Sequence, residues 1–238
     1  MKSDKKGKPA KKNGGWTTSW AKIFLIMGCI LFVGVFVMSY FMPVITDLIA
    51  PVKAQSGDTV VVDLTLKDEL GRPVFTTKEN IYTQAVGKNQ TVWLASPLTL
   101  TVNRTTNNLF EPVPATLSGQ DTQYFAFLGS EMNQIANNLV GMKDKSTKQI
   151  QFDESPQLQN VTYREDFESM GGNFQNIIEN QQMIFGLTLP SMDDDDINNT
   201  TSYGYRTAIL KDKTNSTVTI NYGYKTADIT ILRLSRSN

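Results

Sequence analysis

Residues Ile23 to Met42 read IFLIMGCILFVGVFVMSYFM, twenty positions without a charge. As a helix rising 1.5 Å per residue, this run spans about 30 Å, the thickness of a bilayer's hydrocarbon core. A helix that is apolar all round has to be buried, in protein or in lipid. Ser39 and Tyr40, its strongly polar side chains, both lie near one end. Trp16 and Trp20 precede the run and Tyr40 and Phe41 close it, as interfacial aromatic belts do. The sequence therefore predicts a transmembrane helix over 23–42, with Pro43 marking its stop.

Charge sets the expected orientation. Residues 1–22 hold seven lysines against Asp4, whereas the rest of the chain holds 16 basic and 22 acidic residues. Lysines flank the span on its N-terminal side alone, and the first charge beyond it is Asp47. The positive-inside rule then places 1–22 in the cytoplasm and the chain after Met42 outside. A cleaved signal peptide is the competing reading, but its apolar region is usually about 7–15 residues. Val52-Lys53-Ala54, the small-residue site that would suit cleavage, lies well past the apolar run. Cys29 sits mid-span behind Ile26-Met27-Gly28, a poor lipidation motif, and reads as a small packing residue.

Composition removes much chemistry. The chain has no histidine and one cysteine. That excludes a Ser-His-Asp triad, a Cys-His dyad, an imidazole general base, a histidine-ligated zinc and an intrachain disulfide. No Gly-x-Gly-x-x-Gly, P-loop or Gly-x-Ser-x-Gly pattern occurs, and no cofactor is expected. The acidic balance of the outer part argues against nucleic-acid binding there. Asp193-Asp194-Asp195-Asp196 lacks the alternating spacing and glycine of a Ca²⁺ loop and reads as a solvated turn rather than a metal site. Six N-x-[ST] sequons occur, at Asn89, Asn103, Asn160, Asn198, Asn199 and Asn215, and an outside location makes their glycosylation possible.

Beyond a linker at 43–57, the pattern is rich in strands. Thr59 to Leu66 alternates and is β-branched, with a turn at Asp68-Glu69-Leu70-Gly71. Further strands are expected at 74–77, 91–102, 122–128, 145–152, 183–189, 203–210, 217–222 and 228–234, and a loop at 103–121. One helix is clear. Met132, Ile135, Ala136, Leu139 and Val140 form a single stripe, Ser130 can cap it and Gly141 can end it. Thr162-Tyr163-Arg164-Glu165 has the pattern of a capping box opening a second, short helix, and Phe174, Ile177 and Ile178 suggest another helical turn. The class is α+β with a largely antiparallel sheet.

This order of elements resembles the FKBP-type peptidyl-prolyl isomerases, in the prokaryotic form with an insert-in-flap chaperone domain. Three stretches carry the resemblance: Gly57 to Leu66 with Gly71 and Val74-Phe75, Leu139-Val140-Gly141-Met142-Lys143, and Thr207 to Asn221 with Lys225-Thr226 and Ile229 to Leu232. Tyr163 to Phe167 also looks like the start of the insert. The resemblance implies an antiparallel sheet wrapped on a helix at 131–140. It implies a core of 58–158 plus 225–238, an inserted small α+β domain at 159–224, and an extra hairpin within 78–128. It also implies an apolar pocket at Leu64, Phe75, Thr76, Met132 and Ile229. Of the family's pocket groups only Phe75 is retained as itself. The carboxylate falls at Thr76, the first-strand Tyr at Leu64 and the last-strand Phe at Ile229, and Met132 is the apolar residue nearest the family's Val-Ile-x-Gly run. Asp153-Glu154-Ser155-Pro156 replaces the Ala-Tyr-Gly motif.

Isomerising a prolyl bond needs no nucleophile, so the absence of histidine fits. The expected function is a membrane-anchored, extracytoplasmic isomerase and chaperone for unfolded or proline-containing polypeptides, weak because its pocket is eroded. The alternatives are a non-catalytic binding module or assembly subunit on the same fold, and a glycosylated surface protein of another fold. Orientation is testable directly. Protease added to intact cells should leave a short membrane-held stub, and full protection of the outer part would reverse the topology.

Overall fold

The computed structural model describes residues 17–49, 52–153, 158–189 and 202–237. Asp193–Asp196, the lysines of the tail at 2–12, and the sequons at Asn198 and Asn199 lie outside the described residues.

Two units make up the chain, Met1–Pro51 and Val52–Asn238. The first contains helix α1 (Thr17–Ile49). Its stretch Lys22–Tyr40 is long and apolar enough to cross a membrane, and none of it is buried by protein. The backbone stays helical through Pro43 to Ile49, so the helix does not stop where the sequence suggested. An interior proline removes one backbone hydrogen bond; the residues behind it, Val44 to Ile49, carry the helix on.

The expected linker at 43–57 is also shorter at its far end. Ala54 is buried, its N–H donates to the Met142 carbonyl at 2.8 Å, and its own carbonyl accepts from Gly141 N–H at 2.8 Å. Residues from Val52 onward thus belong to the second unit.

Strand β1 (Thr59–Lys67) is the axis of that unit. Its alternation sends Val60, Val62, Leu64 and Leu66 wholly inside. Asp68 then holds the turn: its carboxylate accepts from the N–H groups of Leu70 and Arg72 and from Arg72 Nε. Gly71, at φ +75°, supplies the left-handed step before β2 (Pro73–Thr76).

The segment 78–128 holds more than the extra hairpin expected. It contains helix α2 (Glu79–Val86) and strands β3 (Trp93–Ala95), β4 (Leu98–Thr101), β5 (Phe110–Leu117) and β6 (Thr122–Leu128). Ser96-Pro97 splits the single strand expected at 91–102. Strand β5 occupies the expected loop at 103–121, because Pro112 and Pro114 sit where the strand has one neighbour. They face β6, whereas β3 pairs only with Ala115 to Leu117. A proline without an N–H is tolerated on such an unpaired edge.

Helix α3 (Gly129–Asn138) follows, then β7 (Thr147–Gln151), β8 (Gln159–Tyr163), α4 (Arg164–Ser169) and a 3-10 turn at Phe174–Asn176. Strands β9 (Gln181–Leu189), β10 (Ser202–Lys213), β11 (Thr217–Asn221) and β12 (Thr226–Ser235) complete the chain. The class is α+β, as the sequence predicts. Among the described residues the strands form one curled sheet in the order β7-β12-β1-β2-β3-β5-β6-β10-β11-β8, with β4 on β1 and β9 on β10. It is mixed rather than uniformly antiparallel, since β2 runs parallel to β3 and β6 parallel to β10.

Two apolar clusters lie along this sheet. The larger joins Val62, Leu64, Phe75, Trp93, Phe125 and Ile229 to Ile135 and Leu139 of the α3 segment. The smaller joins Phe167, Phe174 and Phe185 to Leu210, Val218 and Ile220, all within the stretch 159–224.

Helix α3 starts and ends differently from the sequence reading. It stops at Asn138, so Val140 leaves the apolar stripe and is exposed. Ser130 already lies inside it; the cap comes from Glu131, whose Oε2 accepts from the Leu128 N–H at 3.0 Å. The capping box expected at Thr162 to Glu165 does not form, because Thr162 pairs with Val218 in the sheet and turns its hydroxyl inward.

Glu131 has a second partner. Its carboxylate is ion-paired with the guanidinium of Arg206 on β10, both side chains being almost wholly buried. Burial alone would lower the Arg206 pKa, but Glu131 and Tyr224 together outweigh it and hold the guanidinium above its usual range. Removing one partner strands a buried charge at a cost of about 3–5 kcal/mol. Urea unfolding of the detergent-solubilised chain should therefore show Arg206→Met destabilised by that order. Arg206→Met combined with Glu131→Leu should recover part of the loss. Equal stability of the single variant and wild type would remove the pair from the account of the fold.

Candidate functional site

The five pocket positions implied by the sequence are brought together only in part, and they do not surround an opening. Leu64 faces Ile229 across the β1–β12 ladder, and Leu66 faces Phe75 across β1–β2. Leu64, Phe75, Thr76 and Ile229 are all fully buried. The Phe75 ring is wedged between Phe125 and Phe127, with both centroid distances 4.9 Å. Thr76 Oγ1 bonds Thr65 Oγ1 at 2.8 Å and accepts from the Lys78 N–H. Met132 packs against the same apolar cluster from α3, half-buried, and lines a groove of about 180 Å³ with Asn133 and Ala136. The Phe75 region is thus core, filled by aromatics of β6.

An open cleft of about 480 Å³ lies beside the start of α3. Its floor is Leu128, Phe152 and the ring of Tyr224, with Leu109 and Leu158 at the sides. Leu128 immediately precedes α3, the place where the resemblance puts the Val-Ile-x-Gly run; Met132 is one turn too late.

One wall is the segment 106–109. Thr106 and Asn133 exchange two hydrogen bonds, Thr106 N–H to Asn133 Oδ1 at 2.7 Å and Asn133 Nδ2 to the Thr106 carbonyl at 3.0 Å. The Gly129 N–H donates to the Leu109 carbonyl at 3.0 Å. Gly129 has to be glycine here, since a Cβ would stand 2.0 Å from the Asn108 carbonyl oxygen. These contacts fix the backbone and leave the Leu109 side chain 70% exposed at the rim.

The opposite wall is the segment 221–225. Tyr222 N–H donates to the Leu158 carbonyl at 2.9 Å, and Asn221 Nδ2 donates to Glu69 Oε1 at 2.8 Å. Arg206 organises the floor: Nε donates to the Tyr222 carbonyl, and the guanidinium lies 4.3 Å from the Tyr224 ring centroid. Tyr224 donates its hydroxyl to the Thr207 carbonyl at 2.8 Å. Burial pushes the Tyr224 phenol well above its usual range, so it stays neutral.

The charge at the cleft is largely neutralised. Glu131 is paired with Arg206 and Glu69 with Lys211. Asp153 and Lys225 remain exposed with no ion pair among the described residues. No cluster of three or more metal-ligating side chains occurs among the described residues. Glu131 and Glu69 are thus committed to ion pairs, and Asp153 is the carboxylate of the cleft lining that no cation among the described residues engages.

The sequence reading missed this site because its residues come from six separated segments, none with a motif. The available signal was Leu128-Gly129 directly before the helical stripe.

The chain matches no protein-family model, and no curated protein is similar to it.

Burial changes what Phe75 can test. Phe75→Ala empties a site enclosed by two other rings, and such truncations cost about 3–5 kcal/mol. Chemical denaturation of the variant should show a loss of that size. A loss under 1 kcal/mol would mean that the ring stands in an open pocket after all.

Proposed function

We propose that the chain is a membrane-anchored, extracytoplasmic binding protein whose cleft beside α3 holds a short extended segment of another polypeptide. The single observation behind this reading is the contrast between the two regions: the Phe75 region is filled with aromatic side chains, while the cleft is open over an apolar floor. An apolar floor rimmed by amide side chains suits a peptide, whose side chain enters the floor while its backbone meets the amides. Asn107, Asn108 and Gln134 supply those amides. Exposed Val161, Tyr163 and Ile178 add apolar surface within 159–224, as a segment that holds unfolded chains would need. In this reading 159–224 is the inserted chaperone-like part, α1 is the bilayer anchor, and the partners are newly exported polypeptides or subunits awaiting assembly.

Prolyl isomerisation is the second reading, favoured by the position of Leu128 directly before α3. An apolar cleft that holds a twisted amide better than a planar one lowers the barrier without acid or base. Each tenfold acceleration needs about 1.4 kcal/mol of such preference, and the cleft offers few groups to supply it.

Leu109→Asp separates binding at the cleft from folding. The side chain is exposed, so melting should be unchanged. Affinity of the full chain in lipid nanodiscs for a fluorescent, reduced and carboxymethylated model protein should fall about tenfold, the effect of roughly 1.4 kcal/mol. Unchanged affinity would place binding elsewhere. A peptide-isomerisation assay on the same samples distinguishes the readings. Acceleration abolished by Leu109→Asp favours the isomerase, and binding without acceleration favours the module.

A further inference from the structure

The six sequons all lie beyond the apolar span, and all six carry Thr rather than Ser at their third position. Four fall among the described residues, and the fold treats them differently.

Asn89 and Asn103 are exposed and adopt left-handed backbone, with φ +57° and +60°. Asparagine tolerates that conformation better than most residues, which accounts for the asparagine. It does not account for the Thr two positions on. Thr105 is exposed, and its hydroxyl has no hydrogen bond among the described residues. Thr91 is held through its backbone, whose N–H donates to Gln182 Oε1 at 3.0 Å, leaving its hydroxyl uncommitted. Asn215 is exposed in the β10–β11 turn with its amide facing solvent; the hydroxyl of its sequon Thr217 bonds Thr214 at 2.8 Å, but that bond is itself exposed and can be exchanged for one to a partner. The Asn103 amide is engaged only by an exposed hydrogen bond of 3.1 Å to Ser56.

Asn160 is the contrast. It lies on β8, and the Thr162 of its sequon is buried with a hydroxyl that meets no partner. A transferase has to engage amide and hydroxyl together, and the folded strand withholds the second.

We infer that the folded outer unit accepts N-linked glycans at Asn89, Asn103 and Asn215 and not at Asn160. The donor is a lipid-phosphate-linked oligosaccharide, and the catalyst is an oligosaccharyltransferase facing the same side of the membrane. A bond forms between the asparagine Nδ2 and the anomeric carbon, and the bond from that carbon to the lipid-phosphate oxygen breaks. The amide proton passes to a base of the transferase, and the lipid phosphate leaves. The inference rests on the outward orientation of 43–238.

The test is peptide mass spectrometry of the full chain isolated from its own membranes. Glycan mass on peptides bearing Asn89, Asn103 and Asn215, with Asn160 unmodified, is expected. Thr91→Ala, Thr105→Ala and Thr217→Ala should each remove one glycan, and the corresponding Thr→Ser variants should restore it. Bare asparagine at all three sites overturns the inference, and a glycan on Asn160 overturns the selection by fold. Orientation is read separately, in a Cys29→Ala background carrying Gln120→Cys in the exposed β5–β6 turn. Labelling of intact cells by a membrane-impermeant maleimide, without glycan, defeats the glycan assignment alone. Absence of labelling defeats the orientation and the glycan assignment with it.

Discussion

The buried pair of Arg206 and Glu131 is the interaction on which the architecture of the second unit turns. The guanidinium makes four contacts with three structural pieces at once. It pairs with Glu131 at the start of α3, donates to the Ala126 carbonyl of β6, donates to the Tyr222 carbonyl, and lies over the Tyr224 ring. Strands β6 and β10 meet in parallel at a single register pair, Tyr205 with Phe125. A junction that thin leaves backbone groups that a sheet ladder would otherwise satisfy. Arg206 supplies donors there, where a neutral side chain offers too few. The same carboxylate that holds it caps α3 through the Leu128 N–H. The desolvation of two charges is offset by hydrogen bonds that no other residue pair at this place supplies.

That constraint also shapes the cleft. The pair locates the start of α3 relative to the 221–225 segment, and these are two of the cleft's walls. It takes a carboxylate and a cation out of play, so the floor remains apolar although Glu131 contributes to it. Meanwhile β6 sends Phe125 and Phe127 onto Phe75. The three rings close the region where the resemblance implied a pocket. Opening and filling therefore have one cause, the way β6 runs into α3: its last residues pack inward at Phe125 and Phe127, then turn Leu128 to the cleft.

Much of the fold was legible because it rests on local periodicity. The alternation of β1, the strands from β9 to β12 and the stripe around Ile135 and Leu139 each declare themselves within one segment. The misreadings have specific physical sources. Pro112 and Pro114 argued for a loop, but β5 has an unpaired edge that accepts them. Ser130 looked like a cap, but Glu131 reaches back past it. Val140 fitted the stripe, but the helix ends before it. Thr162 looked like a cap, but pairing with β11 claims it first. The cleft was not legible, since Leu109, Leu128, Phe152, Leu158 and Tyr224 acquire a common role only when the sheet curls. The Arg206–Glu131 pair was equally silent, because 75 residues separate its members.

The functional argument follows from where apolar surface is hidden and where it is left open. A catalyst of proline isomerisation needs an unfilled apolar hollow, since the twisted amide has to enter it. At the Phe75 region four of the five expected positions carry side chains suited to packing, and the hollow is occupied by the protein itself. An assembly or holding function makes no such demand. It needs an accessible apolar floor, polar groups that match a backbone, and a backbone that does not collapse into the opening. Gly129, fixed against the Asn108 carbonyl, and the paired bonds of Thr106 with Asn133 provide that rigidity. A preformed cleft loses little entropy on binding. The filled Phe75 region and the open cleft bear on that choice, because the site and not the fold determines the chemistry.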